Sequence, residues 1–225
     1  MPDHQAPPEI DLEDSLFARD WEVPPLAHIP PLLLVCAMSV VWALDLPKNA
    51  PDPWVLSWAK LAHGVVVPLA GYIFAHLNLL HLGMNALALL VLGGSLVACL
   101  GKPPLSWARF LYLFLGSGIA GGLAFILAHQ DQSPVLGASG AIFGVLGALA
   151  RVHPATGRLA PLRSNRTWQM AKFFVSNHAV LFAVAAIAAV LTGQLQSLAW
   201  EAHLGGLLFG FFAAPLFLDR SPADD

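Results

Sequence analysis

The charged side chains of this chain are kept out of most of its length. Between Ile29 and Leu218, apolar runs of helical length alternate with short segments that hold most of that stretch's Lys, Arg, Asp and Glu. About 20 apolar residues suffice to cross a bilayer as helix, and in hydrocarbon a helix satisfies its own backbone. Only 11% of the 225 residues are charged and 57% are hydrophobic, roughly half the charge of an ordinary soluble domain. The expected class is an all-α polytopic membrane protein. No basic run or stripe supports nucleic-acid binding.

Six spans are expected, near 29–44, 77–100, 105–128, 139–152, 173–192 and 198–218. Residues 28–218 then form one six-helix domain. Residues 1–27 are Pro-rich and carry seven acidic side chains against the single Arg19. Such a segment buries too little apolar surface to order itself, and it lacks the basic start and short apolar core of a signal peptide. It reads as a cytoplasmic tail, as does the short 219–225. Residues 45–75 are apolar, with Trp54 and Trp58, but interrupted by Pro47, Pro51, Pro53, Gly64, Pro68 and Gly71. Tryptophan favours the headgroup level, so this first outer loop is expected to be partly embedded, with short helices. Cys36 and Cys99 lie in apolar surroundings without C-x-x-C spacing and read as buried small hydrophobes.

Charge placement orients the spans. With the N-terminus inside, the outer loops 45–75, 129–136 and 193–197 hold only Lys48 and Lys60 of the 11 Lys and Arg. The remaining nine fall on inside segments or at inside helix ends, so both termini are expected in the cytoplasm.

Polar groups at membrane depth are costly and usually face a cavity or a partner. Four stand out: His76, the His81/Asn85 pair, Ser139 and His203. His81 and Asn85 are four apart and share a helix face. Ser139 opens the fourth span, where backbone N–H groups are free and the dipole favours negative charge. A lone Ser in a Gly-rich helix is ordinarily a packing or capping residue. Here, however, Gly140, Gly144 and Gly147 offer a smooth face, and Gly206 and Gly210 offer another beside His203. Docking those faces would bring Ser139 to His203 near the outer ends of their helices. A Ser–His pair is the minimum for acyl transfer, given donors for the oxyanion. No carboxylate is placed to orient His203, since Glu201 points to another side of its helix, so a dyad is expected. His63, His129 and His178 read as interface or loop residues without a catalytic or metal role. No zinc-binding set is present in the spacing.

Three motifs, His76-x4-His81-x3-Asn85, Gly137-x-Ser139-Gly140 and Ala202-His203-x2-Gly206-x3-Gly210, resemble the signatures of the rhomboid family of intramembrane serine proteases, in order. The resemblance covers about residues 28 to 218. It implies a six-transmembrane-helix bundle whose cleft opens to the extracytoplasmic side. Ser139 would be the nucleophile and His203 the general base and acid. His81, Asn85 and the Ser139 amide would serve the oxyanion, and His76 would support them. Gly137 and Gly140 would shape the turn around the serine. Span five, with Phe173, Phe174 and Phe182, would be the side from which a substrate helix approaches. Substrates would be single-span membrane proteins, no cofactor would be needed, and the setting would be a bacterial inner membrane. Two departures are visible: Val67-Pro68 replaces the family's Trp-Arg loop pair, and Phe143 replaces a tyrosine one turn after the serine. A client-binding relative without protease activity and a small transporter are the other readings. Fluorophosphonate labelling of Ser139 separates the first from a protease, and flux surviving Ser139→Ala would mark the second.

Overall fold

The computed structural model describes residues 23–44, 54–131, 133–152, 159–192 and 198–218. Among these the chain is helical, and its extended pairing is limited to two isolated bridges, Leu56 with Val135 and Val152 with Leu159. Six long helices form the bundle: α1 (Ile29–Leu44), α4 (Leu79–Cys99), α5 (Leu105–Ala128), α6 (Ser139–Arg151), α7 (Asn165–Thr192) and α8 (Trp200–Phe217). Two short ones, α2 (Trp58–Ala62) and α3 (Pro68–Gly71), lie in the first loop. By length and composition Pro25–Leu44, Leu79–Cys99 and Leu105–Ala128 can cross a membrane, and Ser139–Arg151 is a shorter apolar helix.

The expected tails fall mainly outside the described residues. The chain joins the bundle slightly before Ile29: a 3-10 turn, Pro25–His28, buries Ala27 against the core. Helix α1 buries Pro30, Pro31, Leu34 and Met38, which form one stripe. Cys36 lies off that stripe and is exposed, contrary to the expectation of burial, whereas Cys99 is buried.

Helix α6 is the axis of the fold. From Gly140 to Arg151 every side chain is buried except the half-buried Phe143. It packs most extensively on α8, which in turn packs on α5. Helix α4 begins at a cap in which the Asn78 side chain accepts from the His81 N–H at 2.8 Å.

Helix α7 starts eight residues before the expected span at Phe173. The apolar run marks only its lipid-compatible part. The earlier turns are stabilised by polar contacts: Ser164 accepts from the Thr167 N–H at 3.2 Å, and buried Arg166 donates to the Leu149 carbonyl at 2.9 Å. Arg151 also donates to a carbonyl, that of Ala160, and its guanidinium lies 5.2 Å from the centroid of Phe211. These cations gather at the end of the bundle opposite Ser139. Beyond His178, by contrast, none of the described α7 side chains is buried.

The first loop is not a peripheral excursion. Leu56 and Ile73 are fully buried, and Tyr72 is 1% exposed with its hydroxyl donating to the Gly118 carbonyl at 2.6 Å. Trp54 covers Gly71, where a Cβ would stand 2.6 Å from the indole. Pro68 is buried while Val67 faces outward. Trp54, Leu56 and Tyr72 thus anchor the loop in the absence of a Trp-Arg pair.

Candidate active site

Ser139 is the first residue of α6, at a helix start without a side-chain cap. Its N-cap is Ala138, which has no polar atom to satisfy the first N–H groups. Those groups carry the positive end of the helix dipole. Gly137, just before, has φ of +117°, a region that admits glycine and few other residues. Its N–H donates to the Tyr72 carbonyl at 2.9 Å. Two residues earlier, Val135 and Leu56 exchange backbone hydrogen bonds of 2.8 and 3.0 Å. The first loop therefore holds the serine-bearing turn by backbone hydrogen bonds. Sequence pattern gave no sign of them, because they pair segments far apart in the chain.

His203 reaches this turn from the first turns of α8. Its Nε2 lies 2.8 Å from Ser139 Oγ, and the residue is 7% exposed. Phe143, one turn beyond Ser139, stacks on the imidazole with centroids 4.6 Å apart and planes at 27°. The approach depends on missing side chains. A Cβ at Gly206 would overlap the carbonyl of Gly140, and one at Gly210 would overlap that of Gly144. Close backbone contact of this kind is how small residues join membrane helices.

The α4 residues stand beside the serine turn in different ways. The His81 ring lies against Gly137, where a Cβ would be 2.7 Å from Cε1 and 2.9 Å from Nε2. His76 meets His81 edge-on at 5.1 Å between centroids, and its Nδ1 is 3.2 Å from the Phe74 carbonyl. Asn85 is buried one turn further on, with Nδ2 donating to the His81 carbonyl at 2.8 Å. That bond uses one of the two N–H groups of the Asn85 amide.

One residue beside the site reads in the sequence as an interface or loop residue without a catalytic role. His178 is not in a loop but midway along α7, 6% exposed. Its Nε2 lies 2.9 Å from His203 Nδ1, and its Nδ1 lies 2.8 Å from the Phe174 carbonyl. Phe174 and Phe143 enclose its ring, with centroids at 4.1 and 5.3 Å. A signal was available: His178 is the single ionisable side chain between Phe173 and Thr192. Glu201, for its part, faces away from His203 and pairs with His129 at 3.1 Å.

A family model described as the Rhomboid domain matches residues 63–220. The chain belongs to the rhomboid family. Its all-helical bundle is that of a polytopic rhomboid, and the Ser139–His203 contact lies within the matched region. Rhomboid protein 1, mitochondrial, from Saccharomyces cerevisiae is 35% identical over 153 residues, 64% of this chain and 40% of that protein. Rhomboid protease GluP from Bacillus subtilis is 36% identical over 143 residues, 63% of this chain and 24% of its own length. The putative rhomboid protease YdcA of the same organism is 36% identical over 119 residues, 51% of this chain and 57% of its own. This rhomboid thus spans well under two thirds of the length of these curated relatives.

Proposed function

We propose that this rhomboid is an intramembrane serine endopeptidase that cleaves transmembrane segments of membrane proteins with a Ser139–His203 pair. The observation that carries this reading is the 2.8 Å contact between His203 Nε2 and Ser139 Oγ at an uncapped helix start. The Bacillus relative GluP is named as a rhomboid protease, which supports it.

In the proposed reaction Ser139 Oγ attacks a peptide carbonyl while His203 Nε2 takes its proton. The oxyanion that forms lies beside the Ser139 N–H at the positive end of α6, with His81 on the other side of Gly137. Collapse breaks the C–N bond, and the proton passes from His203 to the leaving amine. Water then releases the acyl group by the same steps in reverse. His76 acts through His81, whose ring it meets, and Asn85, with one amide N–H on the His81 carbonyl, offers the other to the oxyanion beside His81. Gly137, Gly140 and Gly206 keep the backbone close enough for the pair to meet, and Phe143 holds the imidazole flat.

The substrate helix would approach beside α7, where Phe182, Val184, Ile187 and Val190 are exposed beyond His178. The natural setting we propose is a bacterial inner membrane with both termini cytoplasmic. The buried arginines at the end of the bundle remote from Ser139 fit that orientation. Ser139 then works near the extracytoplasmic side.

The test is cleavage of a single-span model substrate in liposomes by wild type, Ser139→Ala and His203→Ala, with fluorophosphonate labelling in parallel. Wild type is expected to cleave and label, and each variant to lose about 1,000-fold or more in rate. A folded wild type that neither cleaves nor labels would identify a client-binding relative instead.

A further inference from the structure

We propose that His178 is a positioning residue of this reaction, one that fixes His203 in the tautomer able to accept the Ser139 proton. The inference rests on the protease reading above and adds a third side chain to it.

The argument is one of donors and acceptors. The Phe174 carbonyl only accepts, so the His178 Nδ1 beside it, at 2.8 Å, carries the hydrogen. In the neutral ring Nε2 is then a bare lone pair. His203 Nδ1 lies 2.9 Å from that lone pair and must supply the hydrogen between them. His203, also neutral, then has its own lone pair at Nε2, which faces the Ser139 hydroxyl at 2.8 Å. A helix carbonyl on α7 thereby dictates the protonation of an imidazole on α8, two rings away. Every hydrogen in the chain points the same way, from Ser139 towards Phe174.

This is the task of the third group in a hydrolytic triad: to hold the imidazole's tautomer and orientation. Here an imidazole performs it, since Glu201 is turned to His129. His178 accepts a hydrogen bond and transfers no proton. As Oγ bonds to the carbonyl carbon, His203 gains a hydrogen at Nε2 and a positive charge. Its Nδ1–H bond to His178 then becomes charge-assisted and stronger. The proton later leaves from His203 Nε2 to the amine, and the chain returns to its starting state.

The side chain's surroundings suit the role. His178 is clasped between Phe143 and Phe174, so its ring orientation is set by packing as well as by hydrogen bonds.

Three substitutions separate positioning from packing. His178→Phe keeps a ring between Phe143 and Phe174 but offers no acceptor. His178→Asn keeps a polar group near the Phe174 carbonyl but ends short of His203. His178→Gln reaches His203 with an amide oxygen. On a single-span model substrate in liposomes, we expect Phe and Asn to lower kcat by about 10- to 100-fold, because the buried His203 Nδ1–H loses its acceptor. KM should stay within about twofold, since the change acts on the chemical step alone. Gln should restore most of the rate, and the rate of fluorophosphonate labelling at Ser139 should follow the same order. Labelling is scored per folded molecule, with the melting temperature in detergent measured alongside. Wild-type labelling by Phe, or Gln no better than Asn, would overturn the inference while leaving the protease reading intact. Absence of labelling in the wild type would instead remove the reading on which it rests.

Discussion

Gly206 faces the carbonyl oxygen of Gly140 with no room for a single methyl group between them. That contact lies one turn beyond His203 on α8 and next to Ser139 on α6, so it sets the separation of the two helices at the site. Gly206→Ala should force them apart, at a cost of about 1–3 kcal/mol in stability. The rate should fall by about 100-fold, because a displacement of about 1 Å is enough to spoil a hydrogen-bonded reacting pair. Thermal unfolding in detergent and fluorophosphonate labelling, measured on the same preparation, check both numbers. Labelling at the wild-type rate would mean that the helices adjust without disturbing the pair.

The stack of Phe143 on His203 is a second lever on the imidazole. Phe143→Leu removes the ring but keeps apolar volume. An aromatic pair contributes about 0.5–1.5 kcal/mol beyond its buried area, so kcat should drop by about 2- to 10-fold with KM little changed. A larger loss, approaching that of His203→Ala, would show the ring to be indispensable.

Gly137 combines two constraints, a positive φ and a histidine ring against its Cα. Gly137→Ala should cost about 1–3 kcal/mol from backbone strain alone and displace His81 as well. The double variant Gly137→Ala/His81→Ala relieves the contact but not the strain. We expect it to regain part of the melting temperature and none of the activity. Recovery of activity in the double variant would remove His81 from the reaction.

Glu201 offers the contrasting case. Its pair with His129 joins the end of α5 to the start of α8, and the histidine is one-third exposed. Glu201→Gln should cost less than about 1 kcal/mol and leave cleavage of the model substrate unchanged. A fall in kcat of tenfold would mean that a carboxylate, rather than His178, orients His203.

The helices and the residues on them differ in how far the sequence reveals them. Apolar runs mark α1, α4 and α5 closely, because lipid demands length and composition in plain terms. The start of α7 is hidden, since Arg166 is buried by bonding a carbonyl of α6, which no hydropathy pattern records. Ser139 and His203 stand out as polar groups among small residues, and the glycine spacing supplies a reason for them to meet. His178 has the same kind of signal, an ionisable group in an apolar run, but no glycine face beside it to indicate its partner. The backbone bonds of Leu56 and Tyr72 to the serine turn leave no trace at all, because a main-chain donor is the same in every residue but proline.

Among the described side chains of α7, His178 is the last that is buried, and those beyond it are exposed or half-buried. The contact with His203 is therefore the outermost of those that fasten the described part of α7, after Arg166 on the Leu149 carbonyl and Phe174 on Phe143. If the proposed substrate helix enters beside α7, any displacement of α7 at His178 would withdraw the acceptor from His203 Nδ1. Entry and turnover would then be alternating events, and a residue on the outer helix would time the proposed chemistry as well as support it.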